Sequence, residues 1–399
     1  MTMPAAFTDA EVLSIRADLP TVHGRAYLNA GTFGPLPTAT VDAMQAELLR
    51  EAENRYPANV WEHLTECQAS ARAAFAHLLG APTDSVALMH TTHAGISTCL
   101  WGLDLAPGDE IITTTEEHPG VLVPLRIMRD RRGISVTQVA WENDPADLAR
   151  AIGAAVTPST AAVVVSHVSW ITGKIADLGM IREQIGADIP LIVDGAQGAG
   201  VVPVRWADAS WDAYTVSGQK WTLGPSGSGC LAIRDPERFN PVMGGFFVTQ
   251  DPTQPLTAPL STHHARFEFS QEATIPLVGI VASLAFLEER IGVARAHAHA
   301  KARNAHARTL LEPALHDLTG SDTPAALMSG DAHLLVCSVP AGLAPTIVSF
   351  AAQHNVDIRY LDDASLRISL GSWTRDEDLQ MLADIMQRIA ADRSILVTA

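Results

Sequence analysis

Short apolar runs alternate with amphipathic stretches along most of this 399-residue chain. Residues 85–89, 110–114, 135–139, 161–166, 190–194, 213–216 and 230–233 are dominated by apolar and β-branched side chains and read as strands. Between them, 120–132, 145–155 and 178–187 carry apolar side chains at helical spacing. Strands that alternate with helices form a mainly parallel sheet covered on both faces. The prediction is therefore an α/β fold, with a seven-stranded sheet in a large domain over 20–270. Residues 36–79 read as helical, and the Ala-, His- and Arg-rich 272–318 as one long helix or a helix pair. Beyond them, 333–338, 356–360 and 365–369 read as strands, and 343–354 and 375–392 as helices. These predict a smaller α+β domain built from 271–399 together with 1–19. The stretch 240–265, rich in Pro, Gly, Thr and His, reads as irregular loop.

Composition narrows the partners. Hydrophobic residues make up 47% of the chain, ample for two cores, and 27 basic against 44 acidic residues leave a net charge of −17. That balance argues against nucleic acid or an anionic membrane as partner, and an anionic substrate then needs local arginines. Cys67, Cys99, Cys230 and Cys337 lie far apart with no metal-ligand spacing, which predicts reduced, buried thiols and no metal centre. The N-terminus carries neither a basic nor an apolar signal region, and no apolar run reaches membrane-spanning length. A cytoplasmic protein is expected.

Polar residues collect just after the predicted strands, where an open α/β sheet binds its ligands. Lys220 stands in the Gly-rich segment 216–229, among apolar and aromatic neighbours. Such surroundings favour the neutral, nucleophilic amine that forms Schiff bases. Asp194 ends the apolar run 191–194. On its own it reads equally as a helix cap. A lysine and an aspartate at two strand ends are together what pyridoxal phosphate (PLP) needs, to hold the aldehyde and to keep the pyridine nitrogen protonated. Gln197 then offers a donor to the phenolic oxygen. The turn formed by His93, Ala94 and Gly95 opens a helix whose backbone N–H groups suit a phosphate, and Ser217 adds a hydroxyl. His118, directly after a strand, offers a flat ring to stack on the cofactor. Arg367, inside an alternating apolar strand, reads either as half of an ion pair or as a clamp for a substrate carboxylate, with Arg359 as a second candidate.

In this order the pieces resemble the class V aminotransferase family of fold-type I PLP enzymes, which includes cysteine desulfurases, cystine C–S lyases and isopenicillin N epimerase. The resemblance runs from about residue 26 to residue 378 and is carried most specifically by Asp194…Gln197 and Ser217…Lys220. It implies Lys220 as Schiff-base lysine, Asp194 as pyridine partner and His118 as stacking and catalytic residue. Gln197, Ser217, Gln219 and the 93–95 turn would also contact the cofactor. It implies Arg367 and Arg359, with Asn29 and Ala30, around the substrate. Arg266 and Thr274 resemble the segment that reaches a neighbouring subunit's site, which implies a homodimer.

Departures from the family pattern bear on the reaction. The stretch 360–366 ahead of Arg367 is short and has no Cys, where desulfurases carry a nucleophilic one. Gln219 replaces the usual His before the lysine, Trp170 stands where desulfurases often have Asn, and Gly95 replaces a Thr of the phosphate turn. The pattern is most similar to the cystine C–S lyase type. It implies β-elimination of a cysteine or cystine sulfur through an external aldimine and a Cα carbanion, without a protein thiol. Transamination and epimerisation share that carbanion and remain alternatives, as does a PLP-fold binding protein without catalysis.

Overall fold

The computed structural model describes residues 4–54, 57–208, 210–246, 248–269, 272–320 and 327–398. An N-terminal helix, α1 (Asp9–Ala17), is held by a capping box between Thr8 and Glu11 and leads into the short strand β1 (Ala26–Tyr27). Helices α2 (Thr38–Glu53) and α3 (Pro57–Leu79) follow, so the helical segment expected over 36–79 is divided. Then come β2 (Val86–Met89), α4 (Thr92–Gly102), β3 (Glu110–Thr114), α5 (Pro119–Arg132), β4 (Ser135–Val139), α6 (Pro145–Ala155) and β5 (Thr160–Ser166). The layer closes with α7 (Leu178–Ile185), β6 (Leu191–Asp194), β7 (Ala213–Ser217) and β8 (Gly229–Ile233). The strands depart from expectation by a residue at most at either end. Strand β6 starts at Leu191 because Pro190 has no N–H; its carbonyl instead accepts from the Val163 N–H at 2.9 Å.

The seven strands form one sheet in the order β2-β8-β7-β6-β5-β3-β4. Strands β3 to β7 run parallel to one another, and β8 is antiparallel to both its neighbours. Strands β5 to β8 are buried almost throughout, as a sheet with helices on both faces requires. The carboxyl ends of β3, β5, β6 and β7 therefore converge on one edge of the layer. No helix among the described residues is long and apolar enough to cross a membrane.

The segment expected as one helix or a pair over 272–318 is a pair, α8 (Thr274–Phe286) and α9 (Val293–Thr319). A π turn over Leu287–Ile291 and Gly292 at φ 74° separate them. The remaining elements are β9 (Met328–Ser329), β10 (Leu334–Ser338), the helix Ala344–Gln353, β11 (Val356–Asp357), β12 (Arg359–Asp362), β13 (Ser365–Ser369) and the helix Asp376–Ala391. They build an antiparallel sheet, β12-β13-β10-β9, with a core of its own. Strand β1 pairs with β11, and Ala26 and Leu28 enter that second core. Conversely, Val12 and Ile15 of α1 and Leu277, Ile280 and Leu284 of α8 pack into the core of the large sheet. On this packing we propose that the division runs near Gly292 rather than at residue 271, with α1 on the side of the large sheet. The described part of 240–265 is irregular as expected, apart from one isolated bridge between Thr249 and Leu260 and the start of a 3-10 turn over His264–Phe267.

Candidate active site

Lys220 leaves β7 on a turn that the backbone over-determines. The Gly218 N–H donates to the Ser228 carbonyl at 2.8 Å, the Gly224 N–H to the Gly218 carbonyl at 2.7 Å, and the Leu223 N–H to the Lys220 carbonyl at 3.1 Å. Leu223 pays for this turn with a left-handed φ of 57°, a conformation costing a non-glycine residue about 1–2 kcal/mol. The N-terminal loop locks onto it, with the Gly34 N–H donating to the Gln219 carbonyl at 2.8 Å. Gly34 lies so close that a Cβ there would collide with the Lys220 carbonyl.

The lysine faces a cavity lined by His93, His118, Ser166, Val168, Trp170, Asp194, Ala196 and Gln197. No hydrogen bond or ion pair joins its amine to any described residue. Burial pushes the amine down to about 8; Asp194 pulls it upward, and Arg367 and Arg359 add to the fall. About a tenth of the amine is thus neutral at pH 7, several-hundred-fold more than for an ordinary lysine.

Asp194 ends β6 and is buried. One carboxylate oxygen accepts the Ala196 N–H at 2.8 Å within a turn; no helix starts here, so the helix-cap role is not the one it plays. The other has no protein donor among the described residues. His118 caps α5: its Nδ1 accepts the Gly120 N–H at 3.0 Å, so the neutral ring carries its proton on Nε2. Burial pushes this imidazole down to about 4, and the nearby Lys220, His93, Arg367 and Arg359 act in the same direction. The His93 ring stacks on it, 5.1 Å between centroids with planes 19° apart. Gly120 makes room, since a Cβ there would meet the His93 ring.

At the phosphate end of the expected site, α4 begins with Thr91 as its cap. The Ala94 N–H donates to Thr91 Oγ1 at 3.2 Å and the Gly95 N–H to the Thr91 carbonyl at 3.4 Å. Of the three residues expected to present backbone donors, His93 is the one whose N–H the cap leaves free. Gly95 has a different use: a Cβ there would lie 2.7 Å from Thr215 Cγ2, so its absence lets α4 seat on β7. Ser217 Oγ donates to Gln219 Oε1 at 2.5 Å at the end of β7.

Gln197 lines the cavity and is also held by two bonds within the protein. Its Nε2 donates to the Gly31 carbonyl at 2.9 Å and its Oε1 accepts from Trp221 Nε1 at 2.8 Å. These bonds tie the N-terminal loop to the lysine turn and leave the second N–H of the amide nitrogen free for a ligand. Asn29 serves the same loop, its Oδ1 accepting from Thr32 Oγ1 at 2.7 Å, whereas the Ala30 side chain is buried in the core and offers the site only backbone. Thr274 donates to Glu51 Oε1 at 2.6 Å and Arg266 to Glu237 Oε1 at 2.6 Å; neither lines the cavity of its own chain.

Arg367 and Arg359 face each other across β12 and β13. Arg367 is 2% exposed, yet no carboxylate among the described residues reaches it. Its Nη2 donates to Thr32 Oγ1 at 3.1 Å, an Arg359 Nη1 donates to the same oxygen at 3.1 Å, and its Nε has no partner. Burial, then Arg359, pushes this guanidinium down to about 9. A Cβ on Gly31 would stand 3.2 Å from its Cζ, so the glycine leaves the guanidinium uncovered. Two arginines on one hydroxyl, one of them buried and unpaired, is an arrangement waiting for an anion. Of the two roles open to Arg367 in the sequence, no ion pair is formed among the described residues.

Sequence reasoning missed Glu117. It is buried and accepts from Thr114 Oγ1 at 2.7 Å, the Ser166 N–H at 3.0 Å and Ser166 Oγ at 2.6 Å, stitching the exit of β3 to the exit of β5. Burial pushes its carboxyl up to about 7; the Ser166 and Thr114 bonds oppose this and Asp194 adds to it. Its neighbour Glu116 accepts from Ser169 and Thr172 and so holds the loop carrying Trp170. The signal was a pair of acids directly after a strand, ahead of the histidine.

A family model described as aminotransferase class-V matches residues 26–329. The chain belongs to this family. Among curated relatives it is 29% identical over 298 residues to a probable cysteine desulfurase of Methanothermobacter thermautotrophicus, an alignment covering 71% of this chain and 72% of the relative. It is 30% identical over 218 residues to isopenicillin N epimerase of Streptomyces clavuligerus, covering 52% of each. The solved structure of the cystine C–S lyase C-DES with its reaction product cysteine persulfide superposes with a TM-score of 0.82 at 25% identity, over 92% of this chain and 99% of that one. A C-DES mutant with glycine covalently linked to its PLP cofactor matches equally well, TM-score 0.82.

The protein is thus a PLP-dependent enzyme of fold type I. The class V residues fit the cofactor: Lys220 has an unbonded amine, Asp194 a free carboxylate oxygen, and His118 a neutral ring over the same cavity.

Proposed function

We propose that this enzyme is a cysteine or cystine C–S lyase that eliminates a β-sulfur without a protein thiol. The observation that carries the reading is the pairing of an unbonded Lys220 amine with a buried, anion-free Arg367, while every cysteine lies elsewhere. Cys67, Cys99, Cys230 and Cys337 are all buried and none lines the cavity. Burial raises each thiol, Cys67 to about 11 and Cys337 to about 12. None is the accessible thiolate that sulfur transfer to the protein requires.

The bound cofactor supplies an electron sink for the bond electrons released at Cα. Arg367 and Arg359 hold the substrate carboxylate and fix which Cα bond faces the lysine. Lys220 Nζ takes the Cα proton as general base, and its fall to about 8 suits that exchange near neutral pH. Asp194 would hold the pyridine nitrogen with its free oxygen, and His118 would stack on the ring. The C–S bond then breaks with its electron pair leaving on sulfur. With cystine and one water, the products are cysteine persulfide, pyruvate and ammonia.

The epimerase relative gives a second reading, in which the proton returns to Cα on the other face. Incubation with cystine decides. Pyruvate and persulfide in equal amounts support the lyase. Scrambled Cα chirality with solvent deuterium, or conversion of the cofactor to its amine form, replaces it by epimerase or aminotransferase.

The enzyme works as a homodimer on this reading. Leu48, Leu49, Trp61, Met243 and Phe246 are large apolar side chains left about half exposed or more, and Trp61 and Phe246 stack at 6.1 Å. Thr274 and Arg266 then serve the second subunit's site. Light scattering that returns the monomer mass at micromolar concentration would remove this element.

A further inference from the structure

We propose that Glu47, His63 and Cys67 form a binding site for a divalent ion of the zinc class, away from the cofactor cavity. The site depends on neither the cofactor nor the reaction. Its geometry and its charge carry the inference.

His63 and Cys67 lie one turn apart on one face of α3, and Glu47 meets them from α2. His63 Nε2 stands 3.0 Å from each Glu47 carboxylate oxygen and 3.3 Å from Cys67 Sγ. The three ligand atoms all lie within 4.8 Å of one another, and among the described residues this is the one such group of His, Cys, Asp and Glu. Donors around a tetrahedral zinc ion stand roughly 3.3–3.7 Å apart, as bonds of about 2.0–2.3 Å require. A proton relay from thiol to carboxylate would use both ring nitrogens, one for each partner. Here a single nitrogen meets both partners, so the donors converge on one place instead of forming a chain. The cysteine spacings predict no metal centre, because the partners of Cys67 are a histidine and a residue of the preceding helix.

Glu47 and Cys67 are buried, while the His63 side chain is 25% exposed and leaves an approach from solvent. Burial would raise the Glu47 carboxyl, yet the bonds from Arg50, Thr274 and His63 bring it down to about 2. It is therefore an ionised ligand at any ordinary pH. A carboxylate offers about four acceptor positions, and Arg50 takes two of them through Nε and Nη2, both at 2.8 Å. Arg50 is thus the outer partner that orients a metal-bound carboxylate. Burial, with Glu47 adding to it, raises the Cys67 thiol to about 11, so an entering ion takes the thiolate and the thiol proton leaves to solvent. Thiolate and carboxylate together match a divalent charge. A set of one sulfur, one nitrogen and one carboxylate suits zinc or cobalt, whereas magnesium and calcium prefer oxygen alone. A water completes the fourth position. The ion joins α2 to α3 beside Leu48, Leu49 and Trp61, the exposed apolar side chains on which the subunit contact is proposed.

Tag-free, cofactor-loaded enzyme is stripped with chelator and titrated with cobalt(II). The readout is ligand-field absorption in the red, where pyridoxal phosphate does not absorb. Wild type should bind one ion per chain at micromolar concentration with a tetrahedral spectrum, and zinc(II) should displace it. His63→Ala and Cys67→Ser should each weaken binding by about 100-fold or more, since even an outer partner of a metal ligand contributes on that scale. The visible cofactor band, retained in both variants, shows that they are folded. Zinc(II) should also raise the unfolding midpoint of wild type and leave that of both variants unchanged. Absence of the red bands and of a zinc-dependent rise in midpoint at millimolar ion overturns the proposal. Equal binding by wild type and both variants overturns it too, because the ion then sits elsewhere.

Discussion

Replacing Arg367 by Met should stabilise the substrate-free protein while destroying capture of the substrate. The guanidinium is 2% exposed and held at about 9 rather than its ordinary 12.5, with burial as the first cause and Arg359 as the second. At ~1.4 kcal/mol per tenfold change, that corresponds to a cost of about 5 kcal/mol for keeping the charge in place. The folded value lies below the unfolded one, so the cost is fully present at pH 7 and fades only as pH rises through about 9. Against it stands one hydrogen bond to Thr32, worth ~1 kcal/mol, and Thr32 keeps its bond from Arg359. Met fills much of the volume of the arginine stem, so a net gain of about 2–3 kcal/mol remains, or several degrees in the unfolding midpoint. Losing a buried carboxylate clamp costs ~2–5 kcal/mol in binding, roughly 30-fold to several-thousand-fold in affinity for an amino acid. Calorimetric unfolding of the substrate-free variant, paired with titration of cystine, reads both. A lowered unfolding midpoint with unchanged affinity would show that the guanidinium already has an anionic partner in the resting protein, and the clamp assignment would collapse.

The remaining predictions address the lysine, its turn and the missed glutamate. Lys220→Ala should lose the visible band of the cofactor linkage and all turnover; a variant that keeps the normal rate refutes the assignment. Because the Lys220 amine is held at about 8, apoenzyme should capture PLP faster as pH rises, with a midpoint near 8 in stopped-flow absorbance; a midpoint near 10.5 would mean the amine is not desolvated. Gly34→Ala forces a methyl against the Lys220 carbonyl, so bound cofactor measured after gel filtration should drop sharply; full retention would show that the loop can shift freely. Glu117→Gln turns one acceptor facing Ser166 or Thr114 into a donor, which should cost about 1–3 kcal/mol in urea unfolding, whereas no loss would mean that the three bonds to Glu117 contribute little.

Much of the site was legible because its chemistry sits at strand ends. Lys220, Asp194 and His118 follow apolar runs directly, and a parallel sheet delivers every strand end to one edge, so linear position already implied proximity. Gln197 illustrates the boundary. Its residue type suits the phenolic oxygen, and it also donates to the carbonyl of Gly31, 166 positions away. Nothing in the local sequence announces that bond. Gly95 likewise looked like a lost phosphate ligand, and the fold uses it to bring α4 against Thr215.

The sequence by itself determined the alternation of strands and helices and the family, and it supplied the candidates for the cofactor lysine and its acid, because these rest on periodicity and on residue types at strand ends. The tertiary structure decided which polar groups are still free. Hydrogen-bond partners come from anywhere in the chain, and only the folded packing shows that no carboxylate among the described residues reaches Arg367, that Trp170 Nε1 has no partner there and that Gln197 bonds to Gly31 and Trp221.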